Sequence, residues 1–184
     1  MCPGSREAEI NKHLPVLEEV VYKQNQLNKK VIFNIVVAPG ISLKYFKNLI
    51  SNFNNVKIIE QPLLGALKIS DLAIIASGTA TLECATTKTP MIVIYKMSGL
   101  SWFITKRFIK TPFAAIINII ANKKLVPELL QKDLTSHNII KHINSIMQSK
   151  NLNRISSEMD SLLASLDEGN SHKKAGNFIL NYEK

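Results

Sequence analysis

A chain of 184 residues, 46% hydrophobic and 20% charged, is long enough for one globular domain with a sizeable core and too apolar for a disordered segment. Lysine and arginine outnumber aspartate and glutamate by 23 to 14, and the resulting charge of +9 favours polyanionic partners: nucleic acid, anionic lipid headgroups or phosphorylated substrates. Cys2 and Cys84 lack the clustered spacing of a disulfide framework or a zinc site, and no apolar run approaches the roughly 20 residues of a membrane-spanning helix.

The hydrophobic period alternates between short continuous runs and helical spacing, the pattern of a parallel sheet wrapped by helices. In chain order it predicts helix 7–28 with a kink at Pro15, strand 31–38, helix 42–53, strand 56–59, a short helix 64–69, strand 72–76, helix 79–88 and strand 91–95. The strands 31-VIFNIVVA-38 and 91-MIVIY-95 are β-branched and do not alternate, as in strands covered on both faces. After the aromatic and basic stretch 100-LSWFITKRFIKTPF-113, only helices are predicted from residue 127 onward: 127–131, begun by Pro127, then 135–149, 151–167 and 172–182. The polar 165-SLDEGNSHKK-174 reads as a turn.

The expected architecture is therefore α/β: a Rossmann-like parallel sheet with flanking helices over residues 1–134, and a helical C-terminal tail, 135–184, on or beside it. The chain opens on 3-PGSR-6 with no strand ahead of it, so either a first strand is lost or the chain is the later part of a longer protein. A lost strand beside 31–38 or 72–76 would leave a sheet edge open to self-association, which makes a homo-oligomer a candidate state. The opening residues carry neither a basic leader nor an apolar signal segment, and Cys84 reads as a small core residue in a reducing compartment, so a cytoplasmic chain is expected.

In 76-ASGTATLE-83 an apolar strand breaks at Ser77-Gly78 and restarts as a helix. At the carboxyl end of a strand, glycine permits close backbone approach and a helix N-terminus offers unpaired N–H groups to an anion. Ser77, Gly78 and Thr79 stand there, Thr79 and Thr81 add hydroxyls, and Glu83 is placed to accept from ribose hydroxyls. A plain capped turn with Glu83 solvated fits the same spacing. The stretch 3-PGSR-6 repeats the logic, with Gly4 for a tight turn, Ser5 as N-cap and Arg6 as a cationic fork for phosphate; an arginine on a solvated first turn is the alternative. His13 reads as a helix-surface residue.

Asn118 is a candidate nucleotide or phosphate contact, and Glu128 equally a first-turn acid. Leu100, Phe103, Ile104 and Phe108 share one helical side, so Trp102, Phe103, Lys106, Arg107 and Lys110 are candidates to face an anionic membrane, packing on the sheet being the alternative. No Ser-His-Asp arrangement, metal-ligand cluster or Walker loop is visible; His137, His142 and His172 fall in the polar tail, and no general base stands out. Nucleic acid is not expected as a partner, because the aromatics sit in apolar runs rather than among basic residues.

PGSR before an acidic helix, SGTATLE before TPMIVIYK, KRFIKT, and NIIANKKLVPELLQ together resemble, in order and separation, the motifs of the lipid-A-disaccharide synthases over about residues 3–135. The resemblance implies the C-terminal half of a GT-B glycosyltransferase, in which two Rossmann-like domains hold the active site between them. It also implies a reaction: UDP-2,3-diacylglucosamine joined to 2,3-diacylglucosamine 1-phosphate, with UDP released, the anomeric centre inverted, and neither metal nor cofactor. Carried over by motif, Gly4, Ser5, Arg6, Ser77, Gly78 and Thr79 would lie at the phosphates, Glu83 at the ribose and Asn118 along the cleft.

The chain departs from the family at 115-AII-117, in place of Ser-Leu-Pro, and at Asn122-Lys123, in place of Gly-Arg. The acceptor site and the catalytic base are expected in the N-terminal domain, which the resemblance does not cover. The chain is then expected to bind UDP without turning over alone, at the cytoplasmic face of the inner membrane, with an N-terminal half in trans as a possible partner. A catalytically inactive UDP-binding module and another GT-B nucleotide-sugar enzyme are the alternatives.

Overall fold

In the computed structural model, which describes residues 1–27, 30–59, 62–99, 107 and 111–167, the continuous apolar runs become parallel strands. They are β1 (Phe33–Val36), β2 (Val56–Ile59), β3 (Ala73–Ala76) and β4 (Met91–Tyr95). Between them run α1 (Glu7–Leu27), α2 (Lys47–Asn52) behind a 3-10 turn at Leu43–Phe46, α3 (Leu63–Lys68) and α4 (Ala80–Thr86). Every residue of β3 is buried, as are Met91 to Ile94 of β4, which is why these strands carry no polar alternation. Burying each large side chain here, such as Ile75 or Ile92, contributes roughly 1.5–3 kcal/mol.

α1 spans two clusters of core side chains. Leu17 and Val20 join β3 and β4, while Ile10, Leu14 and Val21 join Phe33, Ile35, Phe46, Leu49 and Val56. The helix continues through Pro15 to Leu27. Pro15 and Asn11, whose carbonyl loses its i+4 donor, are both on the exposed face, where that carbonyl is open to solvent.

β1 pairs with β2, and β4 lies between β3 and β5 (Glu128–Leu130). Met1 and Cys2 fill the gap between these two groups. The Met1 amino group donates to Asn34 O and Val36 N–H donates to Met1 O at 3.0 Å, while Cys2 N–H donates to Ile74 O and Ala76 N–H to Cys2 O, each at 2.8 Å. Both sides follow the parallel pattern, so the position without a predicted strand is occupied by a two-residue stub, and the edge expected beside β1 and β3 is covered there. Counting that stub as the first strand, the order across the sheet is 3-2-1-4-5-6, the order of doubly wound dinucleotide-binding sheets, with its reversal between the stub and β3.

β5 overturns the helix predicted at 127–131. Val93 N–H donates to Pro127 O at 2.9 Å, and Val93, Ile94 and Tyr95 pair in register with Glu128, Leu129 and Leu130. A proline can accept at the start of a strand, and the open edge of buried β4 outweighs the local helix preference of Glu-Leu-Leu.

α5 (Ile116–Ala121) precedes β5, and α6 (Ser136–Ile146) and α7 (Ser149–Asp167) follow it. Ile139, Ile146, Ile155 and Met159 from α6 and α7 are buried in the same cluster as β3 and β4. The helix expected at 172–182 lies outside the described residues. No helix among the described residues is long and apolar enough to cross a membrane.

Candidate functional site

A cleft of about 1060 Å³ opens at the carboxyl ends of the strands, where the strand order reverses. The turn after the stub, residues 4–6, forms one side, and the turn after β3, residues 77–80, forms another; Val37, Pro39, Leu43, Ile58, Pro62 and Leu63 supply an apolar wall. Gly4 has φ +139°, and a Cβ there would lie 2.7 Å from Glu9 Oε2 and 2.8 Å from Glu9 Cβ. The tight packing comes from Glu9 reaching back: its carboxylate accepts from Ser5 N–H at 3.1 Å and from Arg6 Nη1 at 3.3 Å. Helical bonding starts with Ile10 N–H to Arg6 O at 3.1 Å, so Ser5 precedes the N-cap position that the sequence assigned to it, and Glu9 does the capping. Arg6 is left with a side chain 78% exposed.

The second turn hangs from β4 through Ser77 N–H to Ile94 O at 2.9 Å, and Ser77 Oγ donates to Ala114 O at 2.9 Å. Gly78 has φ +158° with open space where a Cβ would stand, so its backbone is bare to the cleft. The N–H groups of Gly78, Thr79 and Ala80 have no hydrogen-bond partner among the described residues, and the Thr79 hydroxyl makes no cap bond. Glu83 is exposed and lines the cleft. Thr81, by contrast, is fully buried and donates to Gly78 O at 2.7 Å, shaping the turn from within. Cys84 lies buried behind it, its thiol pushed up to about 12 mainly by burial, in keeping with a core role.

His13, expected on a helix surface, is fully buried. Its Nδ1 lies 2.6 Å from Pro3 O, and Lys96 N–H donates to Nε2 at 3.0 Å. The signal was present in the sequence: His13 stands three residues after Ile10 and four before Leu17, on the apolar stripe of α1.

Over residues 1–180 the chain matches the family model described as Lipid-A-disaccharide synthetase. The chain belongs to the lipid-A-disaccharide synthase family. It is 35% identical over 176 residues to Lipid-A-disaccharide synthase 1 of Legionella pneumophila subsp. pneumophila, an alignment covering 95% of this chain and 45% of that protein. It is 34% identical over 171 residues to Lipid-A-disaccharide synthase of Solibacter usitatus, covering 91% of this chain and 43% of the relative. With Lipid-A-disaccharide synthase of Coxiella burnetii it shares 30% identity over 182 residues, 98% of this chain and 48% of the relative. The chain thus spans a little under half the length of these curated relatives.

In this chain Asn118 does not reach the cleft. It is fully buried, with Nδ2 donating to Val126 O at 2.9 Å and Glu128 Oε1 at 2.6 Å, and Oδ1 accepting from Leu125 N–H and Val126 N–H, each at 2.9 Å. Two donors and two acceptor lone pairs are all used, so nothing remains for a ligand. Asn122, where the family resemblance leads one to expect glycine, adopts φ 48° as the left-handed C-cap of α5, a conformation asparagine tolerates. Lys123, in place of arginine, turns its charge to Glu158 at 2.7 Å rather than to the cleft. Of the membrane-facing candidates, Arg107 is exposed, and Trp102, Phe103, Lys106 and Lys110 lie outside the described residues.

Proposed function

We propose that the chain is the UDP-sugar-binding half of a lipid-A-disaccharide synthase. It takes UDP-2,3-diacylglucosamine and, together with an N-terminal half, joins that sugar to 2,3-diacylglucosamine 1-phosphate with release of UDP. One observation carries the reading: at the reversal point of a parallel sheet, a turn with free N–H groups at Gly78, Thr79 and Ala80 shares a cleft with a second turn that presents Arg6. Backbone N–H groups and a guanidinium fork are the donors that suit a diphosphate. Glu83 at the cleft surface suits ribose hydroxyls, and the apolar wall around Val37 and Leu63 suits the flat face of a base.

In the transfer the acceptor hydroxyl attacks the anomeric carbon from the side opposite UDP, inverting it, while the bonding pair leaves with the diphosphate. Arg6 and the free N–H groups meet the charge that develops there, where fixed donors are most effective. The Arg6–Glu9 pair is solvent-exposed on the arginine side and weak, so the guanidinium can turn to the phosphate. Glu9 is occupied with the Ser5 N–H, so the proton acceptor for the attacking hydroxyl comes from the other half. By itself the chain binds UDP and does not turn over. Trp102, Phe103, Lys106, Arg107 and Lys110 are then the residues proposed to meet the inner membrane, where acylated substrates reside.

Calorimetry with UDP on the wild-type chain and on Arg6→Ala and Glu83→Ala tests this. Each substitution should weaken binding on the order of tenfold or more while leaving the fold intact, since a hydrogen bond to a charged group contributes roughly 1.5–3 kcal/mol. Absence of UDP binding by the folded wild-type chain would sink the reading. Addition of an N-terminal half should restore disaccharide formation.

A further inference from the structure

The Arg6 turn and the end of β4 are separate segments of the chain, and one side chain touches both. The Nδ1 atom of His13 is 2.6 Å from Pro3 O, and Lys96 N–H donates to Nε2 at 3.0 Å, inside a fully buried environment. A carbonyl only accepts and an amide N–H only donates, so Nδ1 carries the proton and Nε2 the lone pair. The neutral Nδ1–H imidazole is therefore the form that satisfies both neighbours. Pro3 leads directly into Gly4, Ser5 and Arg6, and Lys96 follows β4, from whose Ile94 carbonyl the Ser77 turn is suspended at 2.9 Å. Through one ring, the two anion-facing turns share a common anchor.

We propose that His13 is a positioning residue for the cleft: its neutral imidazole holds the Arg6 turn against the end of β4, and protonation releases that turn and weakens nucleotide binding. The inference rests on the cleft being a nucleotide site. Protonation would set an Nε2–H against the Lys96 N–H, two donors facing each other with no acceptor between them. The charged and titratable groups around the ring are Glu9, itself paired with Arg6, and Lys12 from α1, the Tyr95 ring, 6.4 Å away, at the end of β4, and Lys96 just after it. Burial is the largest influence and lowers the ring's proton affinity; the Pro3 carbonyl and Glu9 raise it, and Lys12 and Lys96 lower it further. The folded value is thus depressed below the ordinary 6.5, so the bridge is fully present above that pH and is lost as pH falls through the lower folded value.

The test compares UDP binding by the wild-type chain, His13→Gln and His13→Leu from about pH 8 down to about pH 4, a range that extends well below the ordinary imidazole value because burial lowers this one. Glutamine supplies one donor and one acceptor without titrating, and leucine supplies neither. Titration of UDP itself is common to all three, so the ratio of Kd between wild type and H13Q isolates the ring. That ratio should be near unity at the upper pH and rise about fivefold or more at the lower, with H13L weak throughout. Imidazole nitrogen resonances of the wild type should report the Nδ1–H tautomer at neutral pH. Parallel pH curves for wild type and H13Q, or the opposite tautomer, would overturn the proposal. If no variant binds UDP at any pH, the nucleotide reading falls, and the anchoring role is decided by hydrogen exchange: protection of the Lys96 amide relative to H13Q must drop as His13 protonates, and unchanged protection sinks it.

Discussion

Gly4 and Asn118 were both drawn into the candidate site by their neighbours in sequence, and the structure gives them different work. At Gly4, any side chain meets the Glu9 carboxylate at 2.7 Å while the backbone sits at φ +139°. Gly4→Ala is therefore expected to displace Glu9 from the Ser5 N–H, at a cost of about 1–3 kcal/mol, and to weaken UDP binding with it. Chemical denaturation and calorimetry on the same sample would show both losses, and unchanged values would mean that the turn relaxes freely. Asn118 should behave in the opposite way. Asn118→Ala leaves Val126 N–H and Val126 O without their partner and Leu125 N–H with Lys123 O alone, so stability should fall by about 2–4 kcal/mol. UDP affinity of the folded protein should stay within about twofold, because the amide has no bond left to offer a ligand. A large affinity loss with stability intact would return Asn118 to the cleft. Nothing local in 118-NIIANKKLVPELLQ-131 distinguishes these cases, since the partners of Asn118 acquire their positions only when β5 pairs with β4.

Elements that depend on a single stretch of chain were legible, and elements completed by a partner were not. Strands 56–59 and 91–95 fall at the predicted residues, because short segments rich in valine and isoleucine and bounded by turn residues are a local signal. Strand 31–38 contracts to Phe33–Val36 because its partner β2 offers four residues to pair with. The glycine turns at strand ends were legible for the same local reason, whereas β5 is a strand only because β4 leaves an edge for it. Glu128 shows what that pairing achieves. From the first residue of β5 its carboxylate accepts from Ala114 N–H at 2.9 Å and Ala115 N–H at 3.0 Å, capping α5 from outside the helix. Glu128→Gln keeps one acceptor oxygen and loses the charge that favours a helix N-terminus, so a loss of about 1–2 kcal/mol is expected. Urea denaturation should show a lower midpoint with an unchanged slope; no shift would mean that water caps α5 equally well.

At the scale of the whole chain, α6 and α7 share one core with the sheet. Ile155 and Met159 of α7 are 2% and 0% exposed and belong to the cluster that contains Ile75, Ile92 and Ile94. Surface pairs reinforce the contact, Lys88 with Asp160 at 2.8 Å and Lys123 with Glu158 at 2.7 Å, but exposed pairs of this kind contribute little compared with the buried side chains. The sequence marked the helices by their period and left open what they pack on, because an apolar stripe does not name its partner. Met159→Ala decides the matter energetically. Truncating a fully buried methionine costs about 2–5 kcal/mol, and in a chain of this size about 3 kcal/mol corresponds to roughly 6–12 °C in Tm. If the tail and the sheet unfold as one unit, that whole loss appears in a single transition, and amide protection in β4 falls by the same amount as protection in α7. If α7 instead opens on its own, its amides lose protection while those of Ile92 and Ile94 keep theirs, and the packing of Met159 would be a local contact rather than part of the common core.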